Sequence, residues 1–258
     1  MENTQTLSLH FEETGSGKPL LLIHGFPFSS RMWAAQSDAL GARLLAPDLP
    51  GFGDSAAVDA ASVESYAEDC VALLDALDIL EPVAVGGLSM GGYIALAFAR
   101  LFPERVGALL LLSTRAGADS AEAKAGRDAT IAKVQEQGPG VVAEGMFPKL
   151  LAPDTYTVQP AVAVELQAIM ATASQAGVVA ALGAMRDRPD ASQLLPELHM
   201  PALVVHGTQD QVIPYSEAEA MAAALPNGQL ELIEGAGHVP NLEQPQRFNQ
   251  IVRDFLNS

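Results

Sequence analysis

The chain has 258 residues, a single cysteine and a formal net charge of −17. Its length allows one large domain or two small ones. The lone Cys70 cannot form an internal disulfide, which excludes a disulfide-stapled secreted framework. The acidic charge is not offset by any cluster of lysine or arginine, so it disfavours nucleic-acid or anionic-membrane partners.

No apolar stretch approaches the roughly 20 residues that a membrane span needs. Residues 1–6 lack the basic start and apolar run of a signal peptide, so we expect a cytoplasmic protein. No Cys/His group has zinc-ligand spacing, and no glycine-rich phosphate loop is found. We therefore expect no metal and no cofactor, and the sequence leaves the oligomeric state open.

Short apolar runs alternate with helical patterns, which is typical of a parallel sheet covered by helices on both faces. The predicted strands are Leu20–Ile23, Arg43–Ala46, Val83–Val85, Ala108–Leu112, Ala202–Val205 and Gln229–Ile233. Before them, Leu7–Phe11 and a turn over residues 15–17 predict an antiparallel edge.

Three helices of the predicted sheet region are clear from their periodicity. Ser62 is placed to cap a helix that has Cys70 on its apolar face, where we expect this cysteine to be a buried apolar residue. Ser216 begins a capping-box pattern for a helix that continues through Leu225. Residues 246–256 place four apolar side chains on one stripe.

Residues 116–195 interrupt this alternation. They contain helical patterns and no convincing strand, and 80 residues far exceed what a crossover between parallel strands needs. We interpret 116–195 as a helical cap inserted between core segments 1–115 and 196–258. The predicted fold is a mostly parallel, doubly wound α/β sheet with this cap at the carboxyl edge, where open sheets bind ligands.

A serine lies in the most informative motif of the sequence, Gly87-Leu88-Ser89-Met90-Gly91. The motif follows a predicted strand and begins a predicted helix, which is the context of a nucleophile elbow. Glycines are needed there because side chains at the flanking positions would collide with strand and helix. We predict that Ser89 is a nucleophile at a helix N-terminus.

A serine nucleophile needs a base, and the base needs a carboxylate partner. His238 follows the last predicted strand, at the correct edge of the sheet, whereas we expect His24 and His206 to order loops. Asp210 follows the preceding strand and gives the chain order Ser, Asp, His. Asp119 is the rival acid, although capping of the first cap helix explains it well.

An oxyanion needs two backbone N–H donors. One is expected from Met90, directly after the nucleophile. The other is expected from Phe26, in the loop after the first parallel strand, because Pro27 has no N–H.

With these motifs, the chain resembles the α/β-hydrolase superfamily, in the capped serine-nucleophile branch of esterases, 3-oxoadipate enol-lactonases and perhydrolases. The resemblance rests on the segments 24–27, 48–55, 87–92, 207–214 and 235–238. The cap matches nothing diagnostic apart from Arg188-Pro189-Asp190, which recurs in relatives. Dehalogenases and epoxide hydrolases of this fold use an aspartate nucleophile, so Ser89 favours acyl transfer to water.

The resemblance implies hydrolysis of a small, mostly apolar ester or lactone through an acyl-enzyme, with water as the second substrate. The expected pocket residues, besides Phe26 and Met90, are Phe28, Met146, Phe147, Leu150, Met170, Met185 and Val239. Three alternatives stay open within the fold: perhydrolysis or C–C hydrolysis, transfer to another acceptor, and a slow ligand-binding receptor.

Overall fold

A seven-stranded sheet organises residues 9–258, the part of the chain that the computed structural model describes. The strands are β1 (Phe11–Gly15), β2 (Pro19–Ile23), β3 (Arg43–Pro47), β4 (Val83–Leu88), β5 (Val106–Leu112), β6 (Ala202–Gly207) and β7 (Gly228–Ile233). Their order in the sheet is β1-β3-β2-β4-β5-β6-β7. Every neighbouring pair is parallel except β1 with β3. The predicted α/β class and mostly parallel sheet are therefore confirmed.

The antiparallel edge is present, but it lies later in the chain than predicted. The strand begins at Phe11, where the predicted segment ends, and it pairs Phe11 with Pro47 of β3 rather than with β2. Residues 7 and 8 of the predicted segment lie outside the described part of the chain. The edge position explains why β1 contains only exposed and half-buried residues.

Two apolar layers cover the two faces of the sheet. Along β2, Leu21 and Ile23 point into one layer, whereas Leu20 and Leu22 point into the other. Side chains alternate between faces along any strand, so a strand with helices on both sides is apolar at every position. This explains why the central strands appear in the sequence as uninterrupted apolar runs.

Helices pack on both layers of the sheet. The α-helices are α1 (Val63–Ala76), α2 (Met90–Leu101), α3 (Ala121–Gln137), α4 (Gly140–Met146), α5 (Thr155–Val158), α6 (Pro160–Met170), α7 (Gln175–Asp187), α8 (Ser216–Ala224), α9 (Pro240–Glu243) and α10 (Pro245–Leu256). Short 3₁₀ helices are Ser30–Gln36, Pro103–Arg105, Phe147–Lys149 and Leu195–Glu197. Cys70 is fully buried on α1, as expected.

Helices α3 to α7 lie between β5 and β6, and the described chain has no strand between these two. Their apolar residues join both layers: Val134 and Leu182 pack in one, and Leu166 and Ile169 in the other. A division of the chain at 116 and 195 remains a prediction.

Within residues 9–258, no single helix is long and apolar enough to cross a membrane. Helices α6 and α7 reach the length and apolar composition of a membrane span only when they are taken together, and they meet at a bend of 96°.

Two predicted helix caps have different outcomes. The Ser62 side chain accepts from Ser65 N at 3.0 Å and Ser65 Oγ accepts from Ser62 N at 2.9 Å, a reciprocal capping box at the start of α1. The predicted box at Ser216 is wrong. Ser216 is already helical, and Tyr215 occupies the N-cap position without a side-chain bond. The chain enters α8 from a helical backbone conformation at Tyr215, which leaves Ser216 one position too late to cap.

We expect Ser62→Ala to lower the free energy of unfolding by about 1 kcal/mol, because Ser65 N at the start of α1 loses its side-chain acceptor. Ser216→Ala is the matched control and should change it by less than about 0.5 kcal/mol. Urea unfolding of both variants and the parent measures the difference. Equal losses in the two variants would contradict the capping box at Ser62.

Candidate active site

Ser89 occupies the sharp turn between β4 and α2. Its backbone has φ 55° and ψ −111°, a conformation that a non-glycine residue adopts only when its surroundings impose it. Ser89 N donates to Leu112 O at 2.8 Å, and Thr114 Oγ1 donates to Ser89 O at 2.8 Å. These bonds to β5 and the residues after it hold the turn in place.

The two flanking glycines allow this turn. A Cβ at Gly87 would overlap the backbone of Gly91, and a Cβ at Gly91 would overlap the carbonyl oxygen of Ile23. The first turn of α2 therefore contacts β4 and β2 backbone to backbone. This contact is the steric reason for glycine on both sides of Ser89.

Asp210 and His238 lie in contact at the carboxyl ends of β6 and β7. His238 Nδ1 is 2.7 Å from Asp210 Oδ2, and both side chains are fully buried. Since a carboxylate can only accept, Nδ1 carries the proton and Nε2 is left as the acceptor. The loop is fixed further by His238 N, which donates to Leu150 O at 2.9 Å.

Asp210 also accepts from a second histidine and from its own loop. His206 Nε2 lies 3.0 Å from Oδ2, while Val212 N and Ile213 N donate to Oδ1 at 2.7 and 3.0 Å. Burial raises the pKa of the Asp210 carboxyl. The charge of His238 and the hydrogen bonds from both histidines and Ile213 outweigh burial and hold the pKa well below its ordinary value. Asp210 is therefore ionised at neutral pH.

His238 Nε2 is buried and has no hydrogen-bond partner among residues 9–258. Ser89 Oγ does not donate to it in this structure, although Ser89 follows β4 at the same edge of the sheet. Such bonds are often long before substrate binds and tighten in the complex. Asp210 is therefore hydrogen-bonded to His238, whereas Ser89 makes no hydrogen bond to His238 Nε2.

His24 orders the loop after β2, as the sequence suggested. Its Nδ1 donates to Gly25 O at 2.8 Å, and its Nε2 accepts from Leu49 N at 3.0 Å. Burial lowers the pKa of His24 to about 4. Both ring nitrogens are therefore committed to backbone groups, and the ring is neutral at physiological pH.

Phe26 and Met90 carry the two expected N–H donors. Met90 is the first residue of α2, where the N–H has no carbonyl partner within the helix. Neither N–H donates to an acceptor in the described part of the chain. Both groups are therefore free to bind an oxyanion.

Glu243 connects the loop of His238 to the inserted helices. This buried carboxylate accepts from Gly237 N at 2.7 Å through Oε1, and from Ala152 N and Thr155 Oγ1 at 2.8 Å through Oε2. Three donors on one carboxylate fix the segment before α5 against the residue next to His238. Nothing in the sequence pattern distinguished this glutamate from others on exposed helices.

A cavity of about 500 Å³ opens beside Ser89. Phe26 and Tyr93 form part of its wall on the sheet side. Helices α3, α4 and α7 form the opposite side, with apolar residues on α4 and α7. The cavity therefore lies between the strand ends and the inserted helices.

Two of the seven predicted pocket residues, Met146 and Met185, line this cavity. The other five do not line it, and they pack in the apolar layer that contains Leu20 and Leu22: Phe28, Leu150, Met170 and Val239 are buried there and Phe147 is half-buried against it. Apolar residues of the inserted helices were hard to divide between pocket and core from sequence alone. Phe26 lines the cavity, whereas Met90 is buried and does not line it.

Asp119 does not cap a helix, contrary to the sequence interpretation. Ser120 caps α3 by accepting from Ala123 N at 3.2 Å. The buried Asp119 carboxylate instead accepts from Arg115 Nη2 at 2.8 Å, from Arg127 Nε and from Arg188 Nη1 at 2.8 Å. Burial raises its pKa, but Arg127 and Arg188 lower it more, so its pKa lies below the ordinary value.

Arg188, from the recurrent segment 188–190, belongs to this cluster around Asp119. The guanidinium of Arg188 is buried, donates to Met185 O at 2.7 Å and Gly117 O at 2.9 Å, and lies 4.0 Å from the ring centre of Tyr93. Sequence analysis missed Arg115 and Arg127, which also line the cavity. The segment with Arg188 drew attention to that residue alone, because the three arginines come together only in the fold.

Among the residues from 9 onward, one group of side chains has the spacing of metal ligands. Donor atoms of His10, Asp48 and Asp54 lie within 4.8 Å of one another. The Asp48 carboxylate already accepts from Ser30 N at 2.7 Å, Asp54 N at 3.0 Å and His10 Nδ1 at 2.8 Å. These contacts explain the group as an anchor for the loop after β3, far along the sheet from Asp210.

Comparison with known proteins agrees with this architecture. A family model described as the alpha/beta hydrolase family matches residues 20–251. A solved thermophilic esterase from Thermogutta terrifontis, with malate bound, is 42% identical, with a TM-score of 0.94 over 96% of this chain and 93% of that one. The enol-lactonase from Burkholderia xenovorans LB400 is 26% identical, with a TM-score of 0.87 over 97% and 96%.

Among curated relatives, a 2-hydroxy-6-oxononadienedioate/2-hydroxy-6-oxononatrienedioate hydrolase from Paraburkholderia phymatum is 29% identical. The match spans 99% of this chain and 93% of the relative. Esterase, lactonase and C–C hydrolase neighbours share one activity class, which is hydrolysis of a small molecule. The family match covers most of the sheet and all of the inserted helices, and the chain belongs to the alpha/beta hydrolase family.

Proposed function

We propose that the protein is a serine hydrolase that cleaves small carboxylic esters or lactones through an acyl-enzyme. Ser89 is the nucleophile, His238 the base and Asp210 the acid that orients the base. The observation that carries the proposal is the buried Nε2 of His238, unpartnered in the described chain while Nδ1 is held by an ionised carboxylate. A base with one committed nitrogen and one open nitrogen is what a serine hydroxyl requires.

Each step of the reaction uses a group already described. Ser89 Oγ attacks the ester carbonyl carbon and passes its proton to His238 Nε2. The N–H groups of Phe26 and Met90 stabilise the resulting oxyanion. The C–O bond to the alcohol then breaks, and the alcohol takes the proton from Nε2. In a lactone, this alcohol stays attached to the acyl chain.

Deacylation repeats these steps with water. His238 removes a proton from water, which attacks the acyl carbon, and the serine leaves with that proton to regenerate the enzyme. Asp210 stays ionised throughout and stabilises the transient imidazolium. The esterase at 42% identity and the enol-lactonase support ester and lactone substrates.

The dienedioate hydrolase relative supports C–C hydrolysis as the second candidate. Perhydrolysis, transfer to another acceptor and a slow receptor remain further alternatives, and a cytoplasmic location remains a prediction from the sequence. Continued turnover of simple esters separates an enzyme from a receptor, which would release product once and stop. Product analysis with added alcohol or peroxide identifies a second acceptor.

We expect Ser89→Ala to lose ester turnover by several orders of magnitude, because the covalent acceptor is removed. A fluorophosphonate probe should label the parent once, at Ser89, as mass spectrometry of peptides would reveal. Ser192→Ala, a change in a loop outside the cavity, is the control and should keep turnover and labelling. More than about a tenth of parental turnover in Ser89→Ala would be incompatible with the proposed role.

Asp210→Asn should reduce kcat by about 10³–10⁴-fold, because an amide can hold the wrong tautomer of His238. Asp119→Asn, at the rival acid, should chiefly lower the melting temperature, because three arginines lose a buried charge. It should retain kcat on a neutral ester within about tenfold of the parent. If the two variants behave in the opposite way, the acid follows β5 rather than β6.

kcat/KM should fall as the pH is lowered from neutrality, because protonated His238 cannot accept the serine proton. Asp210 does not add to this fall near neutrality, since its lowered pKa keeps it ionised. His24 does not either, because burial lowers its pKa to about 4. Initial rates on a neutral ester across the stable pH range give the profile. An activity independent of pH down to the onset of acid unfolding would rule out a histidine base.

A further inference from the structure

The cavity beside Ser89 is positively charged in a protein whose net charge is −17. Arg115, Arg127 and Lys133 line it, and Asp119 is the one acidic residue among its lining residues. A cleft lined by positive charge raises the local concentration of anions, even in a protein that is acidic as a whole.

Asp119 cannot neutralise the arginines around it. Its single carboxylate accepts from Arg115, Arg127 and Arg188, so three positive charges face one negative charge. The Nε of Arg115 is also buried without a partner in the part of the chain that the structure describes. Outside the cavity, Glu217 lies close enough to Arg115, and Asp190 close enough to Arg188, to interact with them by charge. Along the cavity wall itself, Arg115, Arg127 and Lys133 face Asp119 alone, and an incoming anion would compensate this excess of positive charge.

A purely structural role accounts for Arg188 better than it accounts for Arg115 and Arg127. Arg188 is buried and its guanidinium donates to two carbonyls besides Asp119. The side chains of Arg115 and Arg127 are 28% and 21% exposed, and both line the cavity. Their outer N–H groups therefore face the space that a substrate would fill.

Helix α3 presents a polar face to the same space. Its cavity-lining residues recur at helical spacing, and none is a large apolar residue: Ala123, Gly126, Arg127, Thr130 and Lys133. Opposite them, Val142, Met146 and Leu182 supply apolar surface. The cavity thus has one cationic wall and one apolar wall, in contrast to the mostly apolar pocket expected from sequence.

We propose that this cavity selects esters or lactones that carry a carboxylate away from the scissile bond, and that Arg115 and Arg127 bind that carboxylate. Lys133, exposed at the same wall, adds long-range attraction. The substrate class is half-esters of short dicarboxylic acids, esters of hydroxy acids, or lactones bearing a free carboxylate. The inference rests on the proposed function, because it names the substrate class of that site.

The test compares pairs of esters that differ only in charge. Monoethyl glutarate and its neutral amide, ethyl 4-carbamoylbutanoate, place the charge on the acyl side. 4-Acetoxybutanoate and 4-acetoxybutanamide place it on the alcohol side. We expect kcat/KM to favour the anion about tenfold or more in one pair, since hydrogen bonds to charged groups are the strong ones. The pair that shows the preference identifies the side.

Substitution of Arg127 tests whether this arginine causes the preference for the charged ester. Arg127→Gln should reduce the charged-to-neutral ratio of kcat/KM about tenfold, and Arg127→Lys should retain much of it because the charge stays. Arg186→Gln is the matched control, since Arg186 lies on α7, outside the cavity, and pairs with Asp128 and Asp187. If Arg127→Gln does not fold, Lys133→Gln at an exposed position should still lower the ratio.

The experiments distinguish a failure of this inference from a failure of the proposed function. If the neutral ester of each pair is cleaved at least as fast as the anion, or if Arg186→Gln lowers the ratio as much as Arg127→Gln, the inference is overturned and the proposed function stands. If no ester is cleaved, the proposed function fails for these substrates. Calorimetric titration of Ser89→Ala with monoethyl glutarate and with its amide then decides the inference, because equal affinities would overturn it without any turnover.

Discussion

The contact between the first turn of α2 and the backbones of β4 and β2 is the constraint on which the site depends. It exists only because Gly87 and Gly91 have no side chains. With the helix so close to the sheet, Ser89 must turn sharply and takes its positive φ. The same approach brings the free N–H of Met90 to the loop that carries Phe26, so the proposed nucleophile and oxyanion donors follow from one steric fact.

The parallel sheet positions the other proposed catalytic residues. β4, β6 and β7 end at one edge, so the residues after them lie on the same side of the molecule. What the sheet cannot supply is orientation, which comes from local bonds. Asp210 is held by Val212 N and Ile213 N, and it in turn holds the ring of His238.

The steric and topological constraints, on one side, and the local hydrogen bonds, on the other, explain which features the sequence could predict. The parallel strands, the turn at Ser89 and the loop with His238 follow from periodicity and steric need, and the sequence carries both. The role of Asp119 depends on which side chains meet across the fold, and the failure of Ser216 as a cap depends on the backbone conformation of Tyr215. Arg115 and Arg127 are far apart from Arg188 in sequence, so no local pattern could reveal that they share one carboxylate.

Glu243 has a consequence for how the cavity could change shape. It bonds Gly237, next to His238, to Ala152 and Thr155 of the inserted helices, and the buried donors would lose their partners if the two parts separated. The segment before α5 and the loop of His238 therefore form one cooperative unit. Any motion of the cavity wall that preserves the geometry of His238 must therefore leave Ala152 and Thr155 in place.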